Sequence, residues 1–148
     1  MSDSFSKEVE VSNLISRYFE DNAYSIVQLI CPGAQASLSI RYTNQKGNRK
    51  VLAFPDVIAI KDDTIYIGEM KPKFSVRDKA KLLDMKYSID AEEKIKNLLS
   101  RIVGLSFNDH KLKFILIHGD QNAKSDELIS QIIVTTDSTI MLTVESDL

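Results

Sequence analysis

Cysteine is almost missing from this chain, glycine and proline are sparse, and no excess of positive charge marks it. One cysteine in 148 residues, Cys31, excludes an intramolecular disulfide. Lying between an apolar run and Pro32-Gly33, it reads as a small buried hydrophobe. With only two histidines, His110 and His118, the chain has no means of building a metal cluster of the cysteine or histidine type. Five scattered glycines leave no glycine-rich loop to cradle phosphate. A net charge of −2 and a pI near 5.7 count modestly against a constitutive nucleic-acid coat and leave room for a local basic patch. The first residues, Met1 to Ser4, lack the basic and apolar regions of a signal peptide. No apolar run approaches the ~20 residues needed to cross a bilayer. A reducing, cytoplasmic setting away from membranes is therefore expected.

What is present is ordinary in bulk and unusual in one place. A hydrophobic fraction of 43% and a charged fraction of 27% are those of a globular protein, and the length suits one domain, residues 1–148, with its own core. Apolar residues from Phe5 to Phe19 recur at the helical period over Ser4 to Asn22, with Ser4 or Ser6 placed to cap the start. Strands are expected at Tyr24 to Ile30 and, by alternation, at Ala36 to Tyr42, followed by a polar turn at Asn44 to Asn48. A hairpin comes next, with strands near Lys50 to Ile60 and Thr64 to Lys71 joined by Lys61-Asp62-Asp63. Its near-continuous apolar character places it in the middle of a sheet. A long helical region runs from Ser75 or Asp78 to about Val103, with a break near Ser88-Ile89-Asp90, and Gly104 terminates it. Leu112 to His118 reads as a central strand. A short helix around Asp126 to Ser130 and strands at Ile132 to Thr136 and Thr139 to Val144 complete the order. This is an α/β sandwich on a mixed sheet.

The unusual place is the hairpin. Alternation along a strand puts Glu69 and Lys71 on one face and Met70 on the other. The hairpin folds Asp56 back beside Glu69. Two carboxylates and an ammonium thus converge among apolar strand residues, where charge needs a compensating partner. A hard divalent cation such as Mg²⁺ takes oxygen ligands, and Asp56, Glu69 and the backbone carbonyl of Met70 supply three. Lys71 would sit beside water held by the ion, orienting it or stabilising charge that develops on a scissile phosphate. These are the parts of a phosphodiester hydrolase. Asp62 and Asp63 are turn residues rather than ligands, and Ser37 and Ser39 have no partner pattern that would make a nucleophile. His118, before Gly119-Asp120 at the end of a central strand, is open to a ligand role, with a histidine satisfied by backbone as the preferred reading.

Pro55-Asp56, a hairpin, then Glu69-Met70-Lys71 resembles the PD-(D/E)xK nuclease superfamily, over roughly residues 4 to 119. The resemblance implies a restriction endonuclease-like αβββαβ core, a mixed central sheet flanked by helices, here with extra C-terminal strands. It implies a Mg²⁺-dependent endonuclease, with Mn²⁺ as a substitute, that hydrolyses DNA phosphodiester bonds with a water activated by the metal. Asp56 and Glu69 would be catalytic metal ligands and Lys71 the catalytic lysine. Many members add a glutamate from the first helix. Glu8 and Glu10 both lie there, and Glu10, one turn from Leu14, is preferred. Among the basic residues after the motif, Lys73 and Lys79 are candidates for holding phosphate, with Arg77, Lys81 and Lys86 read as a solvated helix face. So small a chain would take its specificity from a homodimer or a larger complex, with Ile132 to Val144 as a candidate interface. The alternative is a catalytically silent or partner-dependent nucleic-acid-binding or assembly subunit of the same fold.

Overall fold

Two hydrophobic periods, one helical and one of strands, lay helices over both faces of a single sheet. The computed structural model describes residues 8–29, 38–120, 126, 128–134 and 140–142. Its elements are α1 (Glu8–Asp21), β1 (Ser25–Leu29), β2 (Ile40–Tyr42), β3 (Val51–Ala53), β4 (Val57–Lys61), β5 (Thr64–Met70), α2 (Val76–Lys86), α3 (Ile89–Val103), β6 (Lys111–His118), β7 (Ser130–Val134) and β8 (Ile140–Leu142). Six strands form a mixed sheet in the order β1-β4-β5-β6-β7-β8, and β2 and β3 form a separate two-stranded ribbon. β4 runs antiparallel to both of its neighbours, β1 and β5; β5, β6 and β7 run parallel, and β8 closes the far edge antiparallel. No helix among the described residues is long and apolar enough to cross a membrane.

The alternation of β4, β5 and β6 divides the core in two. Val57, Ala59, Met70, Ile115 and Ile117 pack with Val11, Ile15 and Phe19 of α1. Ile58, Ile65, Ile67 and Leu116 pack on the other face with Leu82 and Met85 of α2 and with Ile95 and Leu99 of α3. The ribbon residues Ile40, Tyr42 and Ala53 join this second layer. Each such side chain gains about 1.5–3 kcal/mol from burial, so a one-residue slip of β5 would cost several times that. Register is therefore fixed, and with it the face on which Glu69 emerges. Gly68 tightens the arrangement. A Cβ there would lie 2.9 Å from Cγ1 and 3.1 Å from the carbonyl oxygen of Ile115, so β5 and β6 approach as only glycine permits.

The expected strand over Lys50 to Ile60 is in fact two. β3 belongs to the ribbon and β4 to the main sheet, and Phe54-Pro55-Asp56 crosses between them. Pro55 has no N–H to donate to a ladder, which is why pairing stops there. The long helical region divides where expected. Ser88 Oγ accepts from the Ala91 N–H at 3.0 Å and starts α3 anew, and Gly104, at φ 82°, ends it. The strand over Ala36 to Tyr42 is confined, among the described residues, to Ile40–Tyr42, because the Leu38 N–H donates to Gln28 Oε1 at 2.9 Å rather than to a strand. The short helix at Asp126 to Ser130 does not form at Leu128 and Ile129. Asp126 Oδ1 takes the Leu128 N–H at 2.8 Å, a local bond that competes with a helical turn, and Ser130 already begins β7. Ser4, Ser6, Cys31 and Ser37 lie outside the described residues.

Candidate active site

Asp56 and Glu69 meet where β4 begins and β5 ends, and each holds the other's backbone. The Asp56 N–H donates to Glu69 Oε2 at 2.8 Å, and the Met70 N–H donates to Asp56 Oδ2 at 3.0 Å. Neither carboxylate can drift without releasing a backbone donor of the opposite strand. Glu69 is only 3% exposed, while Asp56 is half-buried. Burial and the Asp56 charge push the Glu69 carboxyl up to about 7, against the opposing pull of Lys81. Two carboxylates this close, one of them costly to ionise, are a donor set of hard oxygens that suits a divalent cation. Among the described residues no third acid, histidine or cysteine is placed to complete a metal-binding group with them. Further ligands would come from backbone carbonyls, water and substrate.

The positive charge that the pair calls for is provided here by a residue read from sequence as a solvated helix cation. Lys81 Nζ on α2 donates to Glu69 Oε1 and, at 3.2 Å, to the Phe54 carbonyl. A signal for it existed. Asp78, Leu82 and Met85 form the buried stripe of α2, and Lys81 lies one turn after Asp78, on the side that turns toward the sheet. Lys81 remains about a third exposed, so its long stem can carry the ammonium out to solvent.

Lys71 follows β5, half-buried, with its N–H donating to the Ile117 carbonyl at 2.9 Å. Together with Glu69, Lys73, Asp78 and His118 it lines a narrow crevice at the end of β5 and β6. Glu69, Lys71 and Lys73 are thus brought to one place, Lys73 being exposed at its rim. Met70 points its side chain into the α1 layer, as alternation requires. Glu10 is exposed and belongs to α1, which covers the face opposite to α2. The side chain of Glu8 lies outside the described residues. Lys79 is not directed at the crevice's carboxylates but forms an ion pair with Asp126. Burial alone would raise the Asp126 carboxyl, yet the hydrogen bonds from Lys79 and the Leu128 N–H hold it below its ordinary value.

His118 is locked rather than free to shuttle protons. Its Nδ1 accepts the Asp120 N–H at 3.1 Å, which leaves Nε2 to donate to Gln131 Oε1 at 2.8 Å. Burial lowers its pKa, and Phe74 stands edge-on at 5.6 Å. The expectation of a backbone-satisfied histidine is met, with the Gln131 side chain as a second partner. Asp62 and Asp63 are exposed turn residues, also as expected. Compared with known protein families and with curated proteins, the chain matches none.

Proposed function

We propose that this protein is a Mg²⁺-dependent endonuclease that hydrolyses DNA phosphodiester bonds, with a restriction endonuclease-like core. The reciprocal clasp of Asp56 and Glu69 carries the reading, because it spends buried space on two adjacent carboxylates that no packing need explains. The order of a helix, three antiparallel strands, helices and a parallel strand supports the fold assignment. Asp56, Glu69 and the Met70 carbonyl would hold the ion. When bound, Mg²⁺ would neutralise the pair and acidify an attacking water. Lys71, beside Glu69 on the crevice wall, would orient the attacking water and face the developing negative charge of the phosphate. Lys81 would give up Glu69 Oε1 as the ion arrives and turn its ammonium toward the substrate. A homodimer joined along β8 would set two such sites against the two strands of a duplex, in a cytoplasmic setting. Incubation with supercoiled, linear and single-stranded DNA in Mg²⁺ or Mn²⁺ should yield cleavage that Lys71→Ala cuts by about 10²-fold or more. Equal rates in wild type and variant would refute this role for Lys71.

One observation favours a second reading, a catalytically silent subunit that binds nucleic acid or a partner. Lys81 already compensates Glu69, so the pair is satisfied without a metal. Calorimetry separates the two. Mg²⁺ or Mn²⁺ should bind in the presence of DNA and cease to bind in Asp56→Ala; absence of metal binding in the wild type leaves the silent subunit.

A further inference from the structure

A groove between β2 and α3 is lined by Arg41, Lys94 and Arg101, with Ser39 and Asn97 between them and no acidic side chain. The chain as a whole carries a net charge of −2, so a groove whose lining holds three cations and no carboxylate is a local reversal of sign, with Asp90 beside Lys94 as a partial counter-charge. Lys94, Asn97 and Arg101 stand at i, i+3 and i+7 of α3, one stripe about 10 Å long at 1.5 Å per residue. Measured along the axis of a duplex, where each strand rises ~3.4 Å per phosphate, that length corresponds to about three nucleotide steps. Arg41 and Arg101 are exposed. Lys94 has Asp90 one turn away at 3.9 Å, but the other oxygen of that carboxylate is taken by the Thr43 N–H at 2.7 Å.

The groove is tied to the carboxylate pair through the backbone. A bulge in β1 between Ile26 and Gln28 re-aims the strand, and Gln28 is buried. Gln28 Nε2 donates to the Pro55 carbonyl at 2.6 Å, and Gln28 Oε1 accepts the Leu38 N–H at 2.9 Å. A single side chain therefore bridges the residue before Ser39, at the groove, to the residue before Asp56, at the site. The cross-strand pair Ile40–Ala53 repeats the link, since Ala53 lies three residues before Asp56. Groove and site also share the α2–α3 face of the sheet.

We propose that this groove binds the sugar–phosphate backbone of the nucleic acid whose scissile bond is presented to Asp56 and Glu69. The assignment rests on the nuclease reading for that second clause only. Arg41, Lys94 and Arg101 hold consecutive phosphates, Ser39 and Asn97 add neutral hydrogen bonds, and the contacts are independent of base sequence. Affinity is therefore salt-dependent and requires no metal.

The test uses the full chain in EDTA, so that binding is read without cleavage, with fluorescent duplex and single-stranded DNA over a range of salt. The triple variant Arg41→Ala/Lys94→Ala/Arg101→Ala should bind about 10- to 100-fold more weakly and lose about two to three from the slope of log K against log [salt] on duplex DNA. A control triple, Arg17→Ala/Lys46→Ala/Lys111→Ala, removes three exposed cations elsewhere and should lose markedly less. Thermal melts confirm that both variants fold. Equal losses in the two triples, or no DNA binding by the wild type, overturn the groove. Groove-dependent binding without cleavage in Mg²⁺ would retain the groove and dismiss the nuclease. Cleavage with unchanged binding in the groove variant would do the reverse.

Discussion

The β4–β5 hairpin carries two acids at each end, and the two ends have opposite fates. At the tip, Asp62 and Asp63 form a two-residue turn between the paired residues Lys61 and Thr64, and both are exposed. At the base, Asp56 and Glu69 face each other across the same two strands, and Glu69 is sealed under α2. Acidity is equal at the two ends, but solvation is not. Water screens the tip, so its carboxylates repel weakly and serve only to turn the chain. At the base, burial removes that screening, and the pair then requires a proton, Lys81 or a metal. Burial, rather than residue type, makes one end a candidate site and the other a turn.

The largest test of this contrast is catalytic. On the proposed nuclease reading, neutralising the base with Asp56→Asn should lower DNA cleavage in Mg²⁺ by about 10³-fold or more, a barrier increase of at least about 4 kcal/mol. The double change Asp62→Asn/Asp63→Asn removes twice the charge at the tip and should leave the rate within about twofold. Initial rates on one plasmid substrate decide the matter. Loss of activity in the tip variant would mean that the ends are not distinct.

A smaller effect separates the ends through pH. Glu69 has a folded pKa of about 7, raised above its ordinary value of 4.5 by burial and by Asp56. Below pH 4.5 both folded and unfolded forms are protonated and its contribution is fully present. As pH rises from 4.5 through 7 the unfolded chain gives up the proton first, so stability falls across that window. At roughly 1.4 kcal/mol per pKa unit, the loss is on the order of 3–4 kcal/mol in metal-free protein. His118 acts in the opposite sense, since its lowered pKa adds stability as pH rises toward 6.5. The difference between wild type and Glu69→Gln isolates the carboxyl, because His118 is common to both. Denaturant melts in EDTA at pH 4.5, 6 and 8 should show wild type losing ground to the variant. A constant difference across the window would contradict the raised pKa.

Much of this was legible in the sequence, for reasons that differ by residue. The hairpin and the convergence of Asp56 and Glu69 followed from period-two alternation and a two-residue turn, both local rules. Lys71 followed from the same alternation. Lys81 was missed because its partner is twelve positions away on another element, and only the face that α2 presents to the sheet brings the two together. The split at Phe54-Pro55-Asp56 was missed although Pro55 advertised it; the apolar run was read as one strand, and tertiary pairing of β3 with β2 decided otherwise. Lys79 was read as a phosphate ligand because the sequence does not say that Asp126 would come to lie beside it.

The smallest effect asks whether the tip is more than a place for charge. Asp62 has φ 53°, in the left-handed region that aspartate and asparagine tolerate better than most residues. Its role there is conformational, so Asp62→Asn should leave stability within about 0.5 kcal/mol. Asp62→Ala keeps the backbone demand and removes the side chain that eases it, at a cost of about 1 kcal/mol. Asp62→Gly relieves the demand but frees the unfolded chain, and the two terms nearly cancel. In thermal melts alanine should therefore fall about 2–4 °C below the other two. If asparagine fell as far as alanine, the carboxylate charge itself would be stabilising the turn, and the tip would resemble the base more than burial alone allows.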